Sequence, residues 1–152
     1  MKKSFLFRFI LLHLVTYWVV GSIMYELCGY EEALDTMEYF SLWRDLQSLP
    51  MVFTVFFSQI FRGALLGLLL LPFASMYLQK KRGFLRLFAL LFGLTVLASP
   101  IFLIEALVTE QTFSQLAADL LIGIPELVVQ TFLFALLFCS WMNRYLKKVS
   151  LK

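Results

Sequence analysis

The chain has 152 residues, of which 61% are hydrophobic, 17% aromatic and only 15% charged, with a formal net charge of +3; its mean hydropathy is +0.85. A soluble domain holds about 45–50% apolar and about 25% charged residues. This balance excludes a disordered chain, a nucleic-acid-binding arm and an ordinary soluble enzyme domain, and it points to an all-α, polytopic membrane protein.

A helix needs about 20 mostly apolar residues to cross the hydrocarbon of a bilayer. The first such run covers about residues 5–27. Lys2 and Lys3 ahead of it look like the start of a secretory signal. The run is long, however, Arg8 and His13 interrupt it, and no small-residue cleavage site follows, so it reads as a retained first span.

Residues 28–50 form a longer polar connection. Within it Leu34, Met37, Phe40 and Trp43 recur at helical spacing, with Glu31, Glu32, Asp35 and Glu38 between them. This predicts a short amphipathic outer-loop helix lying at the membrane surface, with Tyr30, Tyr39 and Trp43 at headgroup level.

The second span covers about residues 51–78, and Gln79–Gly83 makes a tight basic hairpin to a third span at about 84–108. A polar connection at 109–119 leads to a fourth span at about 120–142. The runs are continuous and rich in Leu and Phe and do not alternate, which argues against a β-barrel. The expected architecture is a single domain over residues 1–152, a four-helix transmembrane bundle. Pro72 and Pro100 predict kinks in the second and third spans. Gly63 with Gly67, and Ala89 with Gly93, offer faces for close helix approach.

Charge assigns the sides. Eleven of the 13 basic residues lie in the N-terminal segment, the 79–86 hairpin region and the C-terminal segment, with no acid among them. The two remaining connections hold Glu31, Glu32, Asp35, Glu38, Asp45, Glu110 and Asp119, with Arg44 as their only base. Cytoplasmic segments collect Lys and Arg. The expectation is a multi-pass protein of the cell (inner or plasma) membrane, with both termini cytoplasmic.

Two cysteines are present. Cys28 falls at the outer end of the first span and Cys139 about 28 Å down the fourth, at 1.5 Å per residue. That separation is too large for a disulfide within one chain.

The polar residues inside the spans carry the remaining information. They are His13 in the first span, Gln59 and Arg62 in the second, Glu105 near the outer end of the third, and Glu126 and Gln130 in the fourth. Measured from the outer ends, Gln59 and Arg62 lie about 12 and 16 Å deep, and Glu126 and Gln130 about 9 and 15 Å deep. His13 lies about 15 Å from Lys3, also near mid-depth. Gln59 and Arg62 share one helix face, as do Glu126 and Gln130. Ionisable groups at such depth need partners. The matched depths predict an intramembrane polar cluster of Arg62, Glu126, Gln59, Gln130 and His13, with Arg62 and Glu126 paired.

No nucleotide-binding loop, hydrolase elbow or metalloprotease motif occurs, and one histidine cannot build a multi-His metal or haem site. No metal, cofactor or catalytic residue is expected. The chain reads as a small non-catalytic accessory or scaffold protein. The alternative is an oligomeric transporter, or an ion or proton conduit, using the Arg/Glu site. Its expected partners are the lipid bilayer and either further copies of itself or another membrane protein, not nucleic acid.

Overall fold

A computed structural model describes residues 2–27, 49–97 and 113–150. Among these residues there are only helices and turns, and no strand. The predicted amphipathic helix within residues 28–48 lies outside the described residues.

Helix α1, Lys2–Leu27, runs for 26 residues, about 39 Å, enough to cross about 30 Å of hydrocarbon. Helix α2, Leu49–Leu70, is followed by a 3-10 turn at Leu71–Phe73 and a short helix α3, Ala74–Tyr77. Pro72 is the reason for the tight turn. It has no N–H to give to the carbonyl four residues back, and the Ala74 N–H bonds instead to the Leu71 carbonyl, three residues back. This shift leaves the Leu70 carbonyl without its helical donor. The buried Tyr77 hydroxyl donates to that oxygen at 3.1 Å.

The chain reverses at residues 78–82. Leu78 is extended, and Gln79 and Arg82 both take φ of 57°. The turn is tied to the bundle because the Gln79 N–H donates to Asn143 Oδ1 at 2.8 Å. Gly83 closes it, and a Cβ there would overlap the Tyr77 carbonyl oxygen.

Helix α4, Gly83–Leu97, is apolar and is described for 15 residues; the rest of the predicted third span, with Pro100 and Glu105, lies outside the described residues. Helix α5, Phe113–Ser150, has 38 residues and continues through Pro125. Residues 113–119, expected as connection, are therefore already helical, and the helix extends past Met142 to carry Lys147 and Lys148 in its last turn. Three stretches are long and apolar enough to cross a membrane, Lys2–Leu27, Val52–Tyr77 and Ile124–Ser150, joined by the shorter apolar helix of residues 83–95. The described chain is thus an all-α bundle of the membrane-helix type.

The order of neighbours matters for the site. Helix α1 packs along α2 on one side and along α5 on the other, and α5 also packs along α4. The α1–α2 seam is close because of two glycines: a Cβ on Gly63 would come 2.9 Å from His13 Cδ2, and one on Gly67 would come 3.2 Å from Leu6 and Phe9. Among the described residues the second small-residue face has no packing neighbour, since Gly93 has nothing within 4 Å of an added Cβ and Ala89 is exposed.

The core lies toward the Lys2 end of α1. Phe5 and Phe9 from α1 interlock edge-on with Phe134 and Phe138 from α5, with ring centroids 4.7–5.1 Å apart. Leu70, Tyr77, Leu87, Leu91, Cys139 and Met142 complete it. Between lipid-facing helices there is little hydrophobic driving force, so such close ring contacts carry much of the association. Beyond them, the Arg8 guanidinium sits over the Tyr145 ring, 3.8 Å from its centroid, and 5.3 Å from that of Trp141. These contacts bring the N-terminal end of α1, the 79–82 turn and the C-terminal end of α5 to one end of the bundle. The basic residues of all three segments gather there.

Candidate functional site

The polar side chains meet halfway along α1. His13, Thr16 and Tyr17 follow each other at three- and four-residue spacing and share one face of that helix. His13 is buried, at 8% exposure, and its Nε2–H donates to Gln59 Oε1 of α2 at 3.3 Å. Gln59 is equally buried. The bond crosses the seam that Gly63 keeps narrow. Hydrogen bonds between membrane helices contribute about 0.6 kcal/mol on average, so this one fixes register more than it adds stability.

A cavity of about 20 Å³ opens beside it, room for about one water molecule. Its walls include His13 and Thr16 of α1, Arg62 of α2, Thr95 of α4, and Gln130 and Thr131 of α5. The three threonine hydroxyls are turned back on their own helices. Thr16 donates to the Leu12 carbonyl at 2.8 Å, Thr95 to Leu91 at 2.9 Å and Thr131 to Leu127 at 2.6 Å. Each hydroxyl proton is engaged, so the oxygens present lone pairs to the cavity while the Arg62 guanidinium supplies donors.

Four of the five residues expected in the cluster are therefore close together: His13 bonds Gln59, and Arg62 and Gln130 line the same cavity as His13. Glu126 stands slightly apart, with its Oε1 3.5 Å from where a Gly21 Cβ would be. The carboxylate therefore lies against α1 beside Gly21, at a distance where an added methyl would make only ordinary contact.

Arg62 and Glu126, expected as a pair from their matched depths, are placed differently: Glu126 lies against Gly21 of α1, and Arg62 lies at the cavity beside Gln130. Helices α2 and α5 each pack extensively along α1 and not along each other, and their side chains come together at the cavity. Tyr17 of α1 lies within electrostatic reach of both Arg62 and Glu126 and beside Gln59. Glu126 has contacts of its own. Arg62 remains an exposed side chain at the edge of α2. A guanidinium left among acyl chains at mid-bilayer costs about 2.5–3.5 kcal/mol on insertion scales.

Thr16, Tyr17, Thr95 and Thr131 are members of the site that sequence reasoning passed over. For two of them a signal existed: Thr16 and Tyr17 lie three and four residues after His13, the same spacing that groups Gln59 with Arg62. Among the described residues no group of three or more His, Cys, Asp or Glu side chains could hold a metal ion. Cys139 is a buried free thiol packed in the core, and Cys28 lies outside the described residues. No family model, curated protein or solved structure matches the chain.

Proposed function

We propose that the chain is a multi-pass integral protein of the cell membrane. Its basic end, with Lys2, the 79–82 turn and Ser150, faces the cytoplasm. It works without catalysis, as an accessory or scaffold that associates with other membrane proteins through its helices.

The size and lining of the cavity support this reading most. It has room for about one water molecule, and three of its hydroxyls are already committed to their own helices. A substrate-sized molecule has no place there. The polar groups instead do what such groups do in small bundles, setting depth and register between helices.

One observation favours a second reading. Arg62 is exposed and lines the cavity, which suits a conduit that draws a small anion toward mid-membrane. The two readings separate on extraction in mild detergent followed by native mass spectrometry and vesicle assays. Association predicts a stable complex of this chain with a different membrane protein, and no Arg62-dependent flux of chloride or protons in reconstituted vesicles. A chain recovered only alone or with copies of itself, together with a flux lost in Arg62→Gln, would reject the association reading.

A further inference from the structure

The reversal at residues 78–82 carries Lys80, Lys81 and Arg82 in succession, and all three are exposed. Its shape is fixed by backbone bonds. The Gly83 N–H donates to the Lys80 carbonyl at 3.0 Å, and the Leu85 N–H to the Arg82 carbonyl at 3.1 Å. The bond from the Gln79 N–H to Asn143 Oδ1, 2.8 Å long, ties the turn to α5. Lys80 and Arg144, each the next residue after a partner in that bond, therefore come to one level of the bundle. Arg144 is exposed as well. One turn into α4, the exposed Arg86 donates from Nη1 to the Met76 carbonyl at 2.9 Å, which keeps a fifth cation beside the reversal.

This level is where lipid phosphates lie. The apolar stretch Val52–Tyr77 ends just before the turn. Along the stretch Ile124–Ser150, Arg144 is about 30 Å from Ile124, one hydrocarbon thickness. Trp141 and Tyr145 bracket Asn143 on α5 and hold the Arg8 guanidinium at their faces, and aromatic residues of this kind mark the headgroup level. The acidic positions of the described helices are remote from it. Glu26, Asp119 and Glu126 all lie in the half of their helix away from the turn. The helix ends that lead into the acid-bearing connections, Leu27, Leu49, Leu97 and Phe113, are likewise the ends remote from the turn.

We infer that the 79–82 turn and the adjoining part of α5 form a docking site for the phosphate of an anionic phospholipid, with Lys80, Lys81, Arg82, Arg86 and Arg144 as its cations. The turn is already held in shape, so little order has to be created when the headgroup arrives. A zwitterionic headgroup carries its own ammonium group and gains little among five cations. A site at headgroup level meets lipid phosphate continuously, which favours lipid over an acidic protein segment. The site lies apart from the mid-membrane cavity, and it holds under either reading of the protein's function.

The test mixes the full chain, purified in mild detergent, with equimolar phosphatidylglycerol and phosphatidylcholine, and counts the retained lipids by native mass spectrometry. Each Lys or Arg near an anionic surface is worth about fivefold in binding. The expected result is a preference of at least about tenfold for phosphatidylglycerol. It should fall below about twofold when Lys80→Gln, Lys81→Gln, Arg82→Gln and Arg144→Gln are combined. A control variant that loses the same charge at Lys2, Lys3, Lys147 and Lys148 should keep most of the preference. Helix content and melting of each variant in phosphatidylcholine nanodiscs separate loss of the site from loss of fold. Should the turn variant not fold, Lys81→Gln alone should lower the preference about fivefold, and an unchanged preference there overturns the proposal. No preference in the unaltered chain, or equal loss in the turn and control variants, also overturns it, the latter in favour of a diffuse charge. Loss of the retained lipid on adding inorganic phosphate at the concentration of the lipid makes the site one for free phosphate and overturns the lipid assignment. Displacement by an equal concentration of a hexaglutamate peptide makes it a protein-binding surface and overturns it as well.

Discussion

Gly63 lies so close to His13 that a Cβ at this glycine would sit 2.9 Å from the imidazole Cδ2. The narrow seam and the hydrogen bond from His13 to Gln59, 3.3 Å long, are one arrangement, because the ring can reach α2 only if α2 presents no side chain there. Gly63→Ala should push the ring aside, separate α1 from α2 and break that bond. Overpacking of this kind costs about 1–3 kcal/mol, and Gly67→Ala should cost less, since its nearest neighbours are side-chain atoms at 3.2 Å. Steric trapping or thermal unfolding in bicelles measures both. A Gly63→Ala protein as stable as the parent would mean that the seam is looser than described.

The turn after α3 depends on two residues of different kinds. Gly83→Ala places a methyl group on the Tyr77 carbonyl oxygen, and since that atom belongs to the backbone it cannot move aside without opening the turn. A loss of about 3 kcal/mol is expected. Tyr77→Phe keeps the shape but removes the donor that caps the Leu70 carbonyl. Leaving a buried carbonyl without a donor costs about 1–3 kcal/mol. Unfolding free energies of the two variants in bicelles check this. A Tyr77→Phe value equal to the parent would show that Leu70 has another donor.

Arg8 holds the basic end together through the rings of Tyr145 and Trp141. Its guanidinium also donates to the Ser4 hydroxyl. Arg8→Gln should lower stability by about 1–2 kcal/mol, the range for a partly desolvated cation over an aromatic face. Arg8→Lys should recover part of the loss. Quenching of the Trp141 fluorescence by a surface-confined quencher should rise in Arg8→Gln as the α5 end loosens. Unchanged quenching and unchanged stability would indicate that the contact adds nothing.

The proposed orientation has its own test. A reporter active only outside the cytoplasm should stay inactive when fused after Ser150 or inserted at Lys81, and a fluorescent protein that matures only in the cytoplasm should light up at both. Activity of the first reporter at either place reverses the assignment of sides.

Much of the helical architecture is readable in the chain because apolar runs of spanning length are set off by charge. Pro72 and Gly83 mark the tight turn and the reversal where the structure has them, and the basic residues of three distant segments foretell the end at which those segments meet. The polar site is readable only in part. Depth along a helix axis follows from residue counting, so His13, Gln59, Arg62 and Gln130 are found at one level. Which helix stands beside which does not follow from counting. Arg62 and Glu126 match in depth, yet their helices pack along α1 and not extensively along each other, and nothing in the spacing of either residue records that. Hydroxyl groups were invisible for a different reason. Thr16, Thr95 and Thr131 satisfy themselves on their own helices, so they carry no burial cost that would flag them in an apolar run.

Neighbour order is the claim on which the site depends, and a double-mutant cycle between Arg62→Gln and Glu126→Gln tests it most directly. With α2 and α5 each packed on α1 and Glu126 lying against Gly21, the stability changes of the single variants should add, leaving an interaction energy below about 0.5 kcal/mol. A coupling of about 2 kcal/mol or more would show that guanidinium and carboxylate meet directly, and would contradict this arrangement of helices.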